Sequence, residues 1–357
     1  MKKIALVADV KNWAFDIAAN IIKSSLSDKY QIDIYYSKSE EFNKDLFIIL
    51  ETLKNYDIIH FFWRKILLDF ENEIFKNRVI EKYGNYEKYI NDNIKKISTG
   101  VYDHLFEDDI EFIKKFTKYC NKYVASSQKI FNIYSNLEGI KKPICIMGDS
   151  FEEEKFFPMN KERFDYHDSK LIIGWVGNSN WNQKEKKANK DMIDFKGIYT
   201  ILKPVIDELI NEGYNIGLEC ADKSTQQIPN EKMYEYYAKI HIYICVSNME
   251  GTPKPLLEAM GCGVPIITTD VGVVKQALGD MQKKFILGER IIGENDHEIR
   301  KKLKENIIFL YNNRKQLKQL SDENYKESKK YEIKNMKKIY ETYFENFGLL
   351  SKKLDNN

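Results

Sequence analysis

The 357-residue sequence lacks several features that would place it in a specialised class of protein. It has no apolar run near the roughly 18 residues that a membrane-spanning helix requires. Its formal net charge of +2 is nearly neutral, so we expect no nucleic-acid partner. A hydrophobic fraction of 43% and a charged fraction of 31% instead indicate a soluble globular protein, long enough for two domains.

Cysteine is also scarce, and its distribution is informative. The five cysteines are dispersed and include no C-x-x-C pair. An odd, scattered set argues against a disulfide framework or a zinc site and is typical of a reducing cytoplasm. No metal-binding motif stands out, and we expect neither a cofactor nor a metal requirement. We predict a cytoplasmic protein and leave open a peripheral contact at the inner face of the membrane.

The N-terminal half alternates short apolar strands with segments of helical periodicity. Its first residues could begin a signal peptide, but Asp9 and Lys11 interrupt the apolar run, which favours a first strand. Further strands are predicted at residues 32–36 and 57–62. This alternation indicates a doubly wound α/β domain, in which ligands gather at the carboxyl ends of the strands.

Residues 240–272 form the most informative stretch, with the pattern strand, loop, helix, loop, strand. Two buried strands flank a short helix that is predicted to begin at Pro253, because proline in a first turn sacrifices no helical hydrogen bond. The N-terminus of a helix attracts phosphate through its free N–H groups and its dipole. Glu250 precedes this helix and Glu258 lies within it. A carboxylate near a phosphate site suits sugar hydroxyls, so the arrangement suits a nucleotide sugar; the alternative is that Glu250 caps the helix and Glu258 is solvated.

The same residues carry a family resemblance. Glu250 and Glu258, separated by seven residues within EGTPKPLLEAMGCGVPIITTDVG, resemble the Glu-x7-Glu donor-site motif of retaining family 4 glycosyltransferases with the GT-B fold. The resemblance implies that Glu250 contacts the transferred sugar and Glu258 the ribose hydroxyls. It also implies that the sugar and diphosphate are bound by Gly251, Thr252, Pro253, Lys254, Pro255 and Leu256.

Other site residues follow from the same resemblance. Lys196 matches the lysine that the family uses on the donor diphosphate, where positive charge stabilises the leaving group. Asn178, after Gly177, stands where the family has an arginine, and this is a departure from the pattern. Lysines of the following loop could supply the charge instead: Lys184, Lys186, Lys187 and Lys190. His104 corresponds to a histidine that contacts the transferred sugar or the acceptor.

The acceptor is expected on the first domain. Trp13 follows the first strand. It has two equally favoured roles: stacking on an acceptor sugar, or packing the first helix onto the sheet. Asp103 is expected near His104. For Arg64 a surface salt bridge is preferred to a contact with a substrate phosphate. The apolar stretch 61–68 offers a membrane contact as an alternative to a buried strand.

We therefore predict two Rossmann-like doubly wound domains of GT-B type facing a central cleft. An N-terminal acceptor domain is assigned to residues 1–167 and a nucleotide-sugar domain to 168–332, with a final helix in 333–357 that crosses back to the first. The expected activity is retaining transfer of a hexose-type sugar from a UDP- or GDP-sugar to a glycan, lipid-linked saccharide or protein, in bacterial surface polysaccharide or glycoconjugate synthesis. The alternatives are a nucleotide-sugar epimerase or hydrolase and a non-catalytic nucleotide-sugar-binding subunit.

Overall fold

The computed structural model describes residues 1–103, 109–165, 169–180 and 194–349. The chain divides into two compact units, one of residues 1–150 with the C-terminal segment from Ile333 and one of residues 151–332. Each unit has its own all-parallel β-sheet with helices packed on it. The predicted class, two parallel-sheet α/β domains, is confirmed.

The first unit is built on a five-stranded sheet. Its strands are β1 (Lys3–Ala8), β2 (Gln31–Tyr36), β3 (Ile58–Phe61), β4 (Ile97–Val101) and β5 (Lys122–Ala125), in the order β2-β1-β3-β4-β5. Its helices are α1 (Ala14–Leu26), α2 (Leu46–Thr52), α3 (Glu73–Tyr83), α4 (Tyr86–Ile94), α5 (Ile110–Lys118) and α6 (Gln128–Ser135). A 3-10 helix spans Arg64–Glu71.

Strand β1 shows why the first sheet is covered on both faces. Successive side chains of a strand point to opposite faces. Ile4 and Leu6 pack with α1, whereas Ala5 and Val7 pack with α2 on the other side. Both sets are buried, as in parallel sheets whose crossover helices lie on both faces.

The second unit has a four-stranded sheet. Its strands are β6 (Leu171–Gly177), β7 (Ile216–Asp222), β8 (Ile242–Cys245) and β9 (Ile266–Thr268), in the order β7-β6-β8-β9. Its helices are α7 (Lys203–Asn211), α8 (Met233–Lys239), α9 (Lys254–Gly261), α10 (Val274–Ala277), α11 (Asp296–Asn312) and α12 (Arg314–Ser328). A π-helical turn, Ile198–Leu202, leads into α7.

The division between the units differs from the predicted boundary at residues 167/168. The structure places it between Ser150 and Phe151, because the apolar side chains of Phe151 and Phe156 are buried in the core of the second unit. The last helix, α13 (Ile333–Leu349), packs on α1 within the first unit, and its Phe344 is buried there.

Most apolar side chains of the stretch 61–68 are buried, as the alternative of a buried strand predicts, whereas Trp63 and Leu68 are half-buried. Phe61, Phe62, Ile66 and Leu67 are all buried in the cores of the first unit. These residues end β3 and turn into the 3-10 helix, whose apolar side faces the sheet. Among the described residues, no helix combines the length and apolar character needed to cross a bilayer.

Candidate functional site

The second sheet has a topological switch point where a ligand site is expected. In the sheet, β7 lies on one side of β6, and β8 and then β9 lie on the other side. The chain therefore leaves β6 towards β7 and leaves β8 towards β9, so the loops after β6 and β8 run in opposite directions. Crevices of this kind, at the carboxyl ends of parallel strands, are the usual ligand sites of open α/β sheets. Gly177 ends β6 and Asn178 follows it, and Glu250 follows β8. The sequence-predicted donor residues therefore lie at this edge.

Lys196 and Glu250, predicted from separate parts of the sequence, form an ion pair. Lys196 Nζ lies 2.5 Å from Glu250 Oε1, and both side chains are about one-fifth exposed. The two loops are also joined through their backbones, because the N–H of Asn248 donates to the carbonyl of Phe195 at 3.0 Å. The pair presents one ammonium and one carboxylate, side by side, at the carboxyl edge of the sheet.

A buried arginine holds the Lys196 loop in place. The side chain of Arg290 is fully buried and pairs with Asp296, with Nε 2.8 Å from Oδ1. Its Nη1 donates to the carbonyls of Asp194 and Val246, at 2.8 and 3.3 Å, and its Nη2 to Thr200 Oγ1 at 2.9 Å. One guanidinium therefore links the start of the Lys196 loop, the end of β8 and the turn into α7.

Two glycines permit the close approach of these loops. Gly197 has φ of +70°, and a Cβ on it would lie 2.4 Å from the carbonyl oxygen of Val246. Gly272, with φ of +44°, sits against the Glu250 loop, where a Cβ would meet the carbonyl oxygen of Gly251 at 1.8 Å. Only glycine fits both the backbone angle and the space at these positions.

Helix α9 begins directly after the Glu250 loop. Its N-cap, Pro253, has no side-chain oxygen to satisfy the first N–H groups, and Gly251 and Thr252 before it are buried. Lys254 and Pro255 are half-buried. Leu256 is fully buried and its N–H donates to the carbonyl of Pro253 at 2.9 Å, so this amide is already paired, contrary to the sequence-based expectation of a free donor.

Glu258 lies inside α9 and is buried rather than solvated. The hydroxyl of Tyr237, a fully buried residue of α8, donates to Glu258 Oε2 at 3.0 Å. Burial raises the pKa of the Glu258 carboxyl, against the opposing effects of the Lys254 charge and the Tyr237 hydrogen bond. The alternative in which Glu258 is a solvated surface residue is therefore wrong.

The loop after β6 is held by local hydrogen bonds. Asn178 Oδ1 accepts from the N–H of Asn180 at 3.1 Å. The N–H of Ser179 donates to Asp222 Oδ1 at the end of β7, also at 3.1 Å. Burial tends to raise the pKa of the Asp222 carboxyl, but this hydrogen bond helps to hold that pKa below its usual value. The four loop lysines considered as replacements for the family arginine lie outside the described residues, as does His104.

The predicted acceptor residues lie at the carboxyl edge of the first sheet. Trp13 precedes α1 and is 42% exposed. Arg64 is 2% exposed, and its Nη2 lies 2.8 Å from Asp103 Oδ1, so the preferred surface salt bridge is instead a buried one. The guanidinium lies over the rings of Phe112 and Phe116 and is enclosed by the core. Arg64 is therefore placed to position Asp103 rather than to meet a substrate phosphate.

Sequence reasoning missed Arg290 and Tyr237, the two residues that hold the site together. Arg290 lies in a stretch without a recognisable pattern, and only the fold brings it under the Lys196 loop. Tyr237 follows another tyrosine in a short amphipathic helix, and core packing would explain it equally well. In the described part of the chain, no three His, Cys, Asp or Glu side chains are grouped as metal ligands.

Part of the second unit, including Glu250 and α9, matches a family of known proteins. Residues 204–327 match the family model described as "Glycosyl transferases group 1". A 62-residue segment is 36% identical to TuaC of Bacillus subtilis (strain 168), a protein named for glycosyl transfer in teichuronic acid biosynthesis. That match spans 17% of this chain and 16% of the length of TuaC.

Two solved structures resemble the whole chain. Anabaena HepE, solved in complex with UDP-glucose, has a TM-score of 0.63 at 10% identity, covering 97% of this chain and 100% of that one. Sucrose-phosphate synthase from Thermosynechococcus elongatus has a TM-score of 0.63 at 13% identity, covering 98% and 100%. At these identities the likeness shows the fold alone, which is the GT-B one.

Proposed function

We propose that the protein is a retaining glycosyltransferase of family 4 that uses a nucleotide-diphosphate sugar. The observation that carries this proposal is the Lys196–Glu250 pair at the switch point, followed along the chain by α9, which carries the buried Glu258. This arrangement supplies a cation and a helix N-terminus for a diphosphate and two carboxylates for sugar hydroxyls. The match to the group 1 model over residues 204–327 supports the same assignment.

In the proposed reaction, an acceptor hydroxyl attacks the anomeric carbon as the bond to the β-phosphate oxygen breaks. Lys196 stabilises the negative charge that develops on the leaving nucleoside diphosphate. The acceptor proton passes to a phosphate oxygen of the leaving group, and attack from the same face retains the anomeric configuration. Glu250 orients the transferred sugar through its hydroxyls, and Glu258 accepts from the ribose. The step requires no metal.

The donor and acceptor classes are proposed from the comparisons. HepE was solved with UDP-glucose, which favours a UDP-sugar over a GDP-sugar as donor. TuaC is named for teichuronic acid biosynthesis, which favours a glycan or lipid-linked saccharide of the bacterial surface over a protein acceptor. Transfer at the cytoplasmic face of the membrane fits these acceptors.

The experiment that tests the donor site is a thermal-shift screen with UDP, GDP, ADP, CMP and their common sugars, repeated with Glu258→Ala. A ligand that binds only the native state raises the melting temperature by mass action. We expect UDP and a UDP-sugar to raise it in the wild type and not in the variant. A shift that persists in Glu258→Ala, or no shift with any nucleotide, would contradict the proposed site.

Asn178 favours one alternative, a non-catalytic subunit that binds nucleotide sugars. The family places an arginine there, and an amide supplies no positive charge to a departing diphosphate. Release of UDP from the bound UDP-sugar, in the presence of a cell-envelope extract as acceptor, distinguishes the two functions. Donor binding without any release of UDP would favour the binding subunit.

A further inference from the structure

A cavity of about 380 Å³ lies in the first unit, at the edge of the sheet opposite to the predicted acceptor residues. We call it the α2–α4 pocket. It is lined by the end of α2, the end of α3 and one side of α4, with Glu51, Lys54, Tyr83, Lys88, Tyr89 and Asp92 among its residues. Lys54 precedes β3 and α4 precedes β4, so the pocket is at the amino ends of these parallel strands. Its volume is in the range of small-ligand sites.

The pocket has an aromatic wall that is held in one orientation. The hydroxyls of Tyr83 and Tyr89 both donate to Glu51 Oε1, at 2.6 and 3.3 Å. The two rings lie 4.9 Å apart at an interplanar angle of 31°, and Tyr83 is 45% exposed although it is anchored. Lys82 Nζ, 2.6 Å from Glu51 Oε2, neutralises the carboxylate that organises the pair. An exposed ring that is already fixed loses little entropy when a ligand packs on it.

The polar groups around this wall include both hydrogen-bond donors and an acceptor, which are what a ligand with hydroxyls and carboxylates needs. Lys54 and Lys88 contribute ammonium donors, and Asp92 contributes an acceptor carboxylate. With Glu51 neutralised by Lys82, these three groups leave the lining with an excess of positive charge.

We propose that the α2–α4 pocket binds an acidic saccharide. The C–H face of a pyranose ring would pack on Tyr83, hydroxyls would donate to Asp92, and a sugar carboxylate would pair with Lys54 and Lys88. The choice of a saccharide rests on the proposed function. A growing glycan whose end reacts at the donor site would have further sugar units that can bind the enzyme elsewhere. A nucleic-acid strand fits less well, because the carboxylate of Asp92 would lie against its phosphates.

The test is isothermal titration calorimetry without any nucleotide, so that it reads the pocket and not the donor site. The probes are a hyaluronan tetrasaccharide, which carries carboxylates, the neutral chitotetraose and the oligonucleotide (dT)8. We expect the hyaluronan tetrasaccharide to bind at least tenfold more tightly than chitotetraose. Equal affinity of the two saccharides, no saccharide binding, or preference for (dT)8 would each overturn the proposal.

Matched variants locate the binding. Tyr83→Ala removes the exposed ring and Lys88→Glu reverses one charge; each should weaken hyaluronan binding at least tenfold. The controls are Tyr234→Ala, a tyrosine whose hydroxyl also donates to a carboxylate, and the exposed Lys301→Glu, both in the second unit. Unchanged binding in Tyr83→Ala and Lys88→Glu would overturn the assignment. UDP binding, measured in the same variants by thermal shift, should be retained. Loss of hyaluronan binding with UDP binding intact therefore concerns the pocket, whereas absence of UDP binding in the wild type concerns the donor site.

Discussion

Arg290 Nη1 donates to the main-chain carbonyl of Asp194 at 2.8 Å, and through this contact a fully buried guanidinium supports the loop that carries Lys196. The residue that would act on the donor is thus positioned by one that never reaches it. Such support is needed because a charged side chain placed about 1 Å away from its productive position loses much of its effect.

Replacing Arg290 by Met is expected to lower the free energy of unfolding by about 3 kcal/mol, because it leaves Asp296 and two carbonyls without their buried donor. Urea denaturation measures this loss. Asp296→Asn should cost less, and the double variant should cost less than the sum of the two single variants, because the two residues contact each other. Additive losses would show that the two side chains do not stabilise each other.

Removing either member of the Lys196–Glu250 pair should abolish most transfer. Lys196→Ala removes the charge that stabilises the leaving group, and loss of one such group typically lowers kcat by about 100-fold or more. Glu250→Ala removes the carboxylate that orients the sugar. Initial rates of UDP release measure both effects, with the exposed Lys301→Ala of α11 as control. Unchanged turnover in either variant would remove that residue from the proposed mechanism.

The part of the site around α9 could be predicted from the sequence, since its residues lie in one continuous stretch. Glu250, the start of α9 and Glu258 are fixed relative to one another by a strand–loop–helix unit of local structure. Arg64 was predicted at the surface because sequence neighbours do not reveal that Phe112 and Phe116 enclose it. Arg290 and Tyr237 were missed for the same reason: their partners lie far away in the sequence. The sequence places residues 151–165 in the first domain, whereas the structure groups them with the second unit, because the burial of Phe151 and Phe156 depends on long-range packing.

Gly272→Ala should disrupt the donor site. Its Cβ would lie 1.8 Å from the carbonyl oxygen of Gly251, so the Glu250 loop must move. We expect UDP affinity, measured by calorimetry, to fall at least tenfold. Gly293→Ala is the matched control, because Gly293 also has positive φ, +79°, but no atom within 4 Å of a Cβ. The control should cost about 1 kcal/mol of stability and leave UDP affinity unchanged; equal losses in both variants would contradict the steric argument.

The pH dependence of UDP binding should reflect the raised pKa of Glu258. In the proposed site the carboxylate form of Glu258 would accept from the ribose hydroxyls, so protonation would weaken binding. Burial raises the pKa of this carboxyl, so protonation begins at a higher pH than for an ordinary glutamate. UDP affinity should therefore fall on acidification. Tyr237→Phe removes a hydrogen bond that lowers this pKa, and the fall should then begin at a still higher pH. An identical pH profile in the two proteins would argue against Glu258 as the titrating group.

His60 should make the first unit sensitive to acid. It is fully buried in β3, with Nδ1 2.6 Å from Ser98 Oγ and the rings of Phe62, Tyr343 and Phe344 around it. Burial lowers its pKa to about 3. Since the unfolded chain binds a proton near pH 6.5 and the native state does not, stability should fall by about 1.4 kcal/mol per unit as the pH drops from 6.5 towards 3.

His60→Gln keeps a hydrogen-bonding group for Ser98 but cannot take up this proton. Urea denaturation at pH 7, 6 and 5 measures the unfolding free energy of both proteins. As the pH falls, the wild type should lose more stability than the variant. The exposed His297→Gln controls for the loss of a histidine as such and should follow the wild type. A difference that stays constant over this range would mean that His60 takes up the proton equally in the native and unfolded states, so its pKa is not lowered by burial.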